Sequence, residues 1–248
     1  MMKKALIFWG GWNGHEPELV ANRFARLLRE GGVEAVVQNS MEGLNDEELL
    51  LTYDLLVPCY TMSELPRDCS QAICSAVSKG VGMAGCHGGM NDAFRQDTNW
   101  QFVTGGQWVA HPGNDGTDYT VNICRIAPRA DGIDNGHYLT DGLTDFPVKS
   151  EQYYLHVDPA VEVLATTRFP TVNGFHAINK PVDMPVAWTK YWGLGRIFYC
   201  SLGHHDDVFD NSPTGEVLMK RGLLWAADSK EAAAKLDMAR FSEPKRFD

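Results

Sequence analysis

Three histidines stand where a strand-like run gives way to a loop. His15 follows the apolar run 4–9 through Gly10-Gly11-Trp12-Asn13-Gly14, His87 directly follows the VGMAGC run, and His204-His205 directly follows FYCSLG. His111 lies in the Gly-flanked segment 105–112, and Glu151 lies in Lys149-Ser150-Glu151-Gln152-Tyr153-Tyr154. Neutral imidazoles with a carboxylate suit two chemistries. They can hold a divalent metal such as zinc, with His15, His87 and His204 as the candidate ligands. They can equally move protons, with His87, Glu151 and His204 as the candidate catalytic groups. No HExxH or short His-x-His spacing selects between the two. Trp12, Trp108, His111, Tyr153 and His205 sit in or beside the same loops and are the candidate substrate-binding residues. His137, His156 and His176 lack such placement and read as loop residues.

A thiol chemistry competes. Ala84-Gly85-Cys86-His87-Gly88 follows a strand and resembles the sharp elbow that exposes a nucleophile in thiol hydrolases. His204-His205-Asp206 follows a later strand, so a Cys86, His204, Asp206 triad is an alternative, with Cys86 as the nucleophile. The same cysteine also fits a small buried side chain at a strand end.

These residues meet only if their strands run in parallel. Residues 4–9, 33–37, 53–57 and 81–84 read as strands. The first helix begins at Pro17, repeats Val20, Phe24, Leu27 and Leu28 on one face and stops at Gly31-Gly32. The second, 66–79, aligns Cys69, Ala72, Ile73, Ala76 and Val77 and stops at Gly80. Strand and helix alternating in this way predict a doubly wound α/β fold with a mainly parallel sheet, whose ligands bind beyond the carboxyl ends of the strands. Residues 119–126, 161–167, 186–190 and 196–201 are strand-like with turn residues between them. They predict an added antiparallel section in the second half. Ser212-Pro213 opens a last helix to about Ala227, with Trp188, Trp192 and Trp225 expected in the core. Residues 1–228 form one domain in this reading, and 229–248 form a charged, Ala-rich tail with a short helix.

Composition narrows the partners. A chain of 248 residues, 44% apolar and 22% charged, is long enough for one well-buried globular domain. Its net charge of −10 repels polyanions, which argues against nucleic acid and anionic membrane. No run approaches the length of a membrane span, and six cysteines without a Cys-x-x-Cys suit free thiols in a reducing, cytoplasmic setting. Gly-Gly-Trp-Asn-Gly is neither a dinucleotide fingerprint nor a phosphate loop, so no nucleotide cofactor is expected. Dimerisation into a homo-oligomer is compatible with an acidic surface but is written in no residue pattern.

The segments FWGGWNGHE, GVGMAGCHGG, GGQWVAHP, HYLTDGLTDFPV, SEQYY, PVAWTKYWGLGRIFYCSLGHH and GLLWA, in that order, resemble the trehalose-utilisation (ThuA-like) family of the class I glutamine amidotransferase-like superfamily. The resemblance runs from about Lys4 to Ala227. It implies a flavodoxin-like sheet, a role in carbohydrate utilisation, and a disaccharide or oxidised (3-keto) glycoside as the substrate. It also implies site positions at His15, His87, His111, Glu151 and His204. Cys86 departs from the family pattern, in which an aliphatic residue is common. Two alternatives to a His/Glu sugar enzyme stay open: a Cys86-dependent amidase or thiol hydrolase, and a non-catalytic sugar-binding accessory protein.

Overall fold

The computed structural model describes residues 2–236. The chain runs β1 (Lys4–Gly11), α1 (Pro17–Glu30), β2 (Glu34–Gln38), α2 (Glu47–Leu50), β3 (Leu55–Thr61), α3 (Arg67–Ser78), β4 (Gly82–Cys86), α4 (His87–Asn91) and α5 (Thr98–Thr104). It continues through β5 (Gly106–Ala110), β6 (Thr117–Ile123), β7 (Phe146–Ser150), β8 (Tyr154–Val157), β9 (Glu162–Phe169), β10 (Val182–Trp192) and β11 (Gly195–Cys200). The helices α6 (Asp207–Asn211), α7 (Pro213–Ala227) and α8 (Ser229–Ala233) close the described chain.

Nine strands form one sheet in the order β2-β1-β3-β4-β11-β10-β9-β6-β7. The first five are parallel, and their order is the flavodoxin-like 2-1-3-4-5 with β11 as the fifth strand. The last four are antiparallel additions, and β5 pairs with β8 in a separate ribbon. The fold is therefore the expected α/β one with its antiparallel section.

Continuous apolar runs become the central strands because both sheet faces are covered. Ala5 and Ile7 pack into one layer with Phe24 and Leu28 of α1 and Leu218 and Leu223 of α7. Leu6 and Phe8 point the other way, into a layer with Ile73 and Val77 of α3 and Trp100 of α5. All six residues of β11 are buried, as the centre of such a sheet requires. Trp188 and Trp225 are core residues, while Trp192 packs on the core only partly buried.

The histidines read as loop residues need correction. His156 is not in a loop but in β8, opposite Gln107, and His137 and His176 lie on single 3-10 turns. The segment after residue 228 begins as the short helix α8, and its remainder, 237–248, lies outside the described residues. Among the described residues, no helix is long and apolar enough to cross a membrane.

Candidate functional site

Parallel strands end on a common edge, and that edge collects the chemistry. A 3-10 turn after β1 carries His15, β4 runs straight into His87, and Ser201-Leu202-Gly203 carries the chain from β11 to His204. Glu151 comes from the antiparallel section, immediately after β7, with its backbone carbonyl accepting a hydrogen bond from the buried Tyr119 hydroxyl at 3.1 Å.

Two glycines make the convergence possible. A Cβ on Gly88 would fall 2.4 Å from the His15 ring, so only glycine lets that imidazole lie against α4. Gly203 has φ +101, a conformation that favours glycine, and a Cβ there would sit 3.0 Å from the Cys86 sulfur.

His15, His87, Glu151 and His204 offer one ligand atom each, all within 4.8 Å of one another. The Glu151 Oε2 atom is 3.4 Å from His87 Nε2 and 3.3 Å from His204 Nδ1. Those two nitrogens and that oxygen are buried and have no hydrogen-bond partner. Orphaned polar atoms are costly to bury, and a cation shared by these three could satisfy them together. Two ligands each about 2.1 Å from a tetrahedral cation lie about 3.4 Å apart, which is how far the Glu151 oxygen lies from each of these two nitrogens.

Electrostatics agree with a cation. Burial, reinforced by repulsion from His87 and His204, pushes His15 down to about 2. Burial holds His87 well below the usual imidazole value and lowers His204 as well. All three are neutral at physiological pH, with lone pairs free to ligate. Three neutral imidazoles and one carboxylate are a donor set suited to zinc or a similar divalent ion.

The surrounding residues divide by access. Trp12 is 49% exposed and meets His15 edge to face, so its indole is open to a ligand. His111 is partly exposed at the mouth, with Nε2 3.6 Å from Glu151 Oε1 and Nδ1 3.1 Å from Asn114 Oδ1. His205, also partly exposed, lies between Glu16 and Asp115, 3.8 Å from a carboxylate oxygen of each. Trp108 neighbours His111 and Tyr153, but one ring face lies under the Arg95 guanidinium, which in turn pairs with the buried Asp92.

Tyr153 does not have the exposure that a substrate-binding residue needs. It is 2% exposed, and its hydroxyl is 2.9 Å from His87 Nδ1. Thr61 at the end of β3 has the same relation to His15 Nδ1 at 3.1 Å, and nothing in its sequence setting marked it out. A signal for Asp92, Arg95 and Asn114 was equally absent, because Asp92 and Arg95 pair with each other beside Trp108 and Asn114 meets His111 across a turn, contacts that no motif marks.

The alternative nucleophile is corrected by its surroundings. Cys86 is 3% exposed in a core layer that also holds Cys59 and Cys200, and burial pushes its thiol well above the ordinary value. Asp206 is engaged by a bidentate contact with Arg23. The elbow itself is real but one residue further on. In Gly85-Cys86-His87-Gly88-Gly89 the left-handed central position, φ +43, belongs to His87. The strained turn thus presents an imidazole and turns the thiol inward. All six cysteines are free.

The chain is similar in fold to a putative ThuA-like protein from Parabacteroides merdae, with 18% identity over 93% of this chain and 91% of that one and a TM-score of 0.67. A second putative ThuA-like protein, from Bacteroides uniformis, gives 19% identity over 90% and 91% and a TM-score of 0.66. A β-galactosidase from Bacillus circulans sp. alkalophilus aligns with 92% of this chain but only 31% of its own, at 10% identity and a TM-score of 0.55. No curated protein matches the sequence significantly. At these identities the likenesses establish the fold. The sequence itself matches the family described as ThuA, trehalose utilisation, across residues 4–226. With nearly its whole length matched and the same architecture in ThuA-like structures, the protein belongs to the trehalose-utilisation (ThuA) family, and its function is a related carbohydrate one.

Proposed function

We propose that the protein is a sugar-processing enzyme that acts on a disaccharide or oxidised (3-keto) glycoside at a divalent metal, zinc by preference, held by His15, His87, His204 and Glu151. One observation carries this reading: His87 Nε2, His204 Nδ1 and Glu151 Oε2 are buried, orphaned and spaced as ligands of one ion. A bound divalent ion supplies Lewis acidity for polarising a sugar carbonyl.

The residues of the chain do the rest. Glu151 commits Oε2 to the buried cluster and leaves Oε1 towards His111 and the mouth. In this reading that outer oxygen and His111 take a proton from a carbon beside a ketone and return one to a leaving oxygen. Trp12 offers an exposed flat face to the C–H surface of a sugar ring, and His205 offers a polar edge to hydroxyls.

Acid and base catalysis by His87, Glu151 and His204 without metal is the second reading. It leaves two imidazole nitrogens and a carboxylate oxygen buried without partners, which the metal reading does not. A thiol mechanism is disfavoured by the burial of Cys86, and an accessory sugar-binding role gives the buried cluster no task. The test is turnover of a panel of 3-keto disaccharides and glycosides. His87→Ala and His204→Ala should each abolish product formation while the circular dichroism spectrum stays native. Full activity in both variants defeats the proposal.

A further inference from the structure

Two hydroxyls reach the candidate metal cluster from behind. Thr61 is fully buried at the end of β3, with Oγ1 3.1 Å from His15 Nδ1. Tyr153 is buried between β7 and β8, with its hydroxyl 2.9 Å from His87 Nδ1 and its ring tilted against that imidazole at 3.9 Å between centroids. Neither hydroxyl is accessible to a sugar. Each instead occupies one nitrogen of a histidine whose other nitrogen is then the only one left to ligate. His204 has the opposite orientation, with Nδ1 turned towards Glu151.

Resting on the metal reading above, we propose that Thr61 and Tyr153 are positioning residues that make Nε2 the ligating atom of both His15 and His87. The ligand set is then two Nε2 atoms, one Nδ1 atom and Glu151 Oε2. An imidazole that ligates through Nε2 carries its hydrogen on Nδ1, and that hydrogen needs an acceptor in the dry interior. The hydroxyl oxygens of Thr61 and Tyr153 are those acceptors. A hydroxyl also donates, so the same two groups hold the rings in place when the hydrogen shifts to Nε2 and no ion is bound. A carboxylate in this position would put more negative charge next to Glu151 and favour the doubly protonated ring. A hydroxyl orients without adding charge.

Core packing alone would explain why Tyr153 is large and apolar, but not why its hydroxyl meets the one imidazole nitrogen that faces away from Glu151. The two roles separate experimentally. Tyr153→Phe keeps the ring and removes the oxygen, Thr61→Val keeps the shape and removes the oxygen, and Thr61→Ser keeps the oxygen and removes a methyl.

Metal-free wild type and the three variants are titrated with cobalt(II) and zinc against a chromophoric chelator, and the visible spectrum of the cobalt forms is recorded. Thr61→Val and Tyr153→Phe should each bind about 10–100-fold more weakly, with a changed cobalt spectrum, whereas Thr61→Ser should match wild type in both. Unchanged affinity and spectrum in Thr61→Val and Tyr153→Phe overturn the positioning role while leaving the metal reading intact. Failure of the wild type itself to bind either ion overturns both. Thermal unfolding of the metal-free forms guards against a folding artefact, since a loss of affinity in a variant that is already unfolded counts against the proposal.

Discussion

Acidifying the metal-free protein should cost it several kcal/mol of stability well before its carboxylates are protonated. His15 and His87 are neutral in the fold, the first pushed down to about 2 and the second well below its ordinary value, chiefly by burial. In the unfolded chain both titrate near 6.5. Below that pH the unfolded state binds more protons, so stability is intact above about 6.5 and drains away as pH falls towards the folded values. Each histidine contributes a slope of about 1.4 kcal/mol per pH unit, so at pH 4.5 the two together remove about 5 kcal/mol. His204, shifted in the same direction, adds to this loss. Asp92 works the other way, because burial raises its carboxyl and the fold therefore gains as it protonates. A loss of about 5 kcal/mol is a large part of the stability of an ordinary domain. The assay is urea denaturation followed by tryptophan fluorescence, in chelator, at half-unit steps between about pH 7 and pH 4.5, for wild type and His15→Asn. The wild-type slope should approach two protons, and the variant should lose about one of them. A flat profile above pH 4.5, or an identical slope in His15→Asn, refutes the reasoning.

Other substitutions probe separate parts of the molecule. Cys86 should resist iodoacetamide in the native protein at neutral pH, by mass spectrometry, and Cys86→Ala should keep metal binding and turnover. Gly88→Ala should displace the His15 ring that lies 2.4 Å from the new methyl, lowering zinc affinity at least about 10-fold in a chelator competition. Asp134→Ala should lower stability by about 3 kcal/mol in urea while leaving zinc affinity unchanged. That carboxylate accepts from the buried Arg196 at 2.7 Å and from Trp225 Nε1 at 3.2 Å, remote from the site.

The parallel half of the fold was legible because its signals are local and strong. Apolar runs at β1, β3 and β4, the helical stripe of α1 with Pro17 and Gly31 at its ends, and the Ser212-Pro213 start of α7 all sit where periodicity and end signals put them. Strand ends then predict a shared edge without coordinates, which is why His15, His87 and His204 were expected together. The β5 and β8 ribbon escaped detection because its strands are short and its pairing spans some fifty residues. Side-chain direction escaped for a different reason. Tyr153 and Glu151 are two residues apart, and only the tertiary structure decides that one faces the cluster and the other backs it. The elbow illustrates the same limit: a one-residue shift of frame moves the strained position from Cys86 to His87 and exchanges a thiol for an imidazole.

Elemental analysis of protein purified without chelator, combined with zinc titration of the stripped form, tests the central claim most directly. The account predicts about one divalent ion per chain, lost together on His87→Ala or Glu151→Gln, with the thermal midpoint falling as the ion leaves. Protein that carries no divalent ion, takes up none on titration and melts at the same temperature with or without zinc would contradict it.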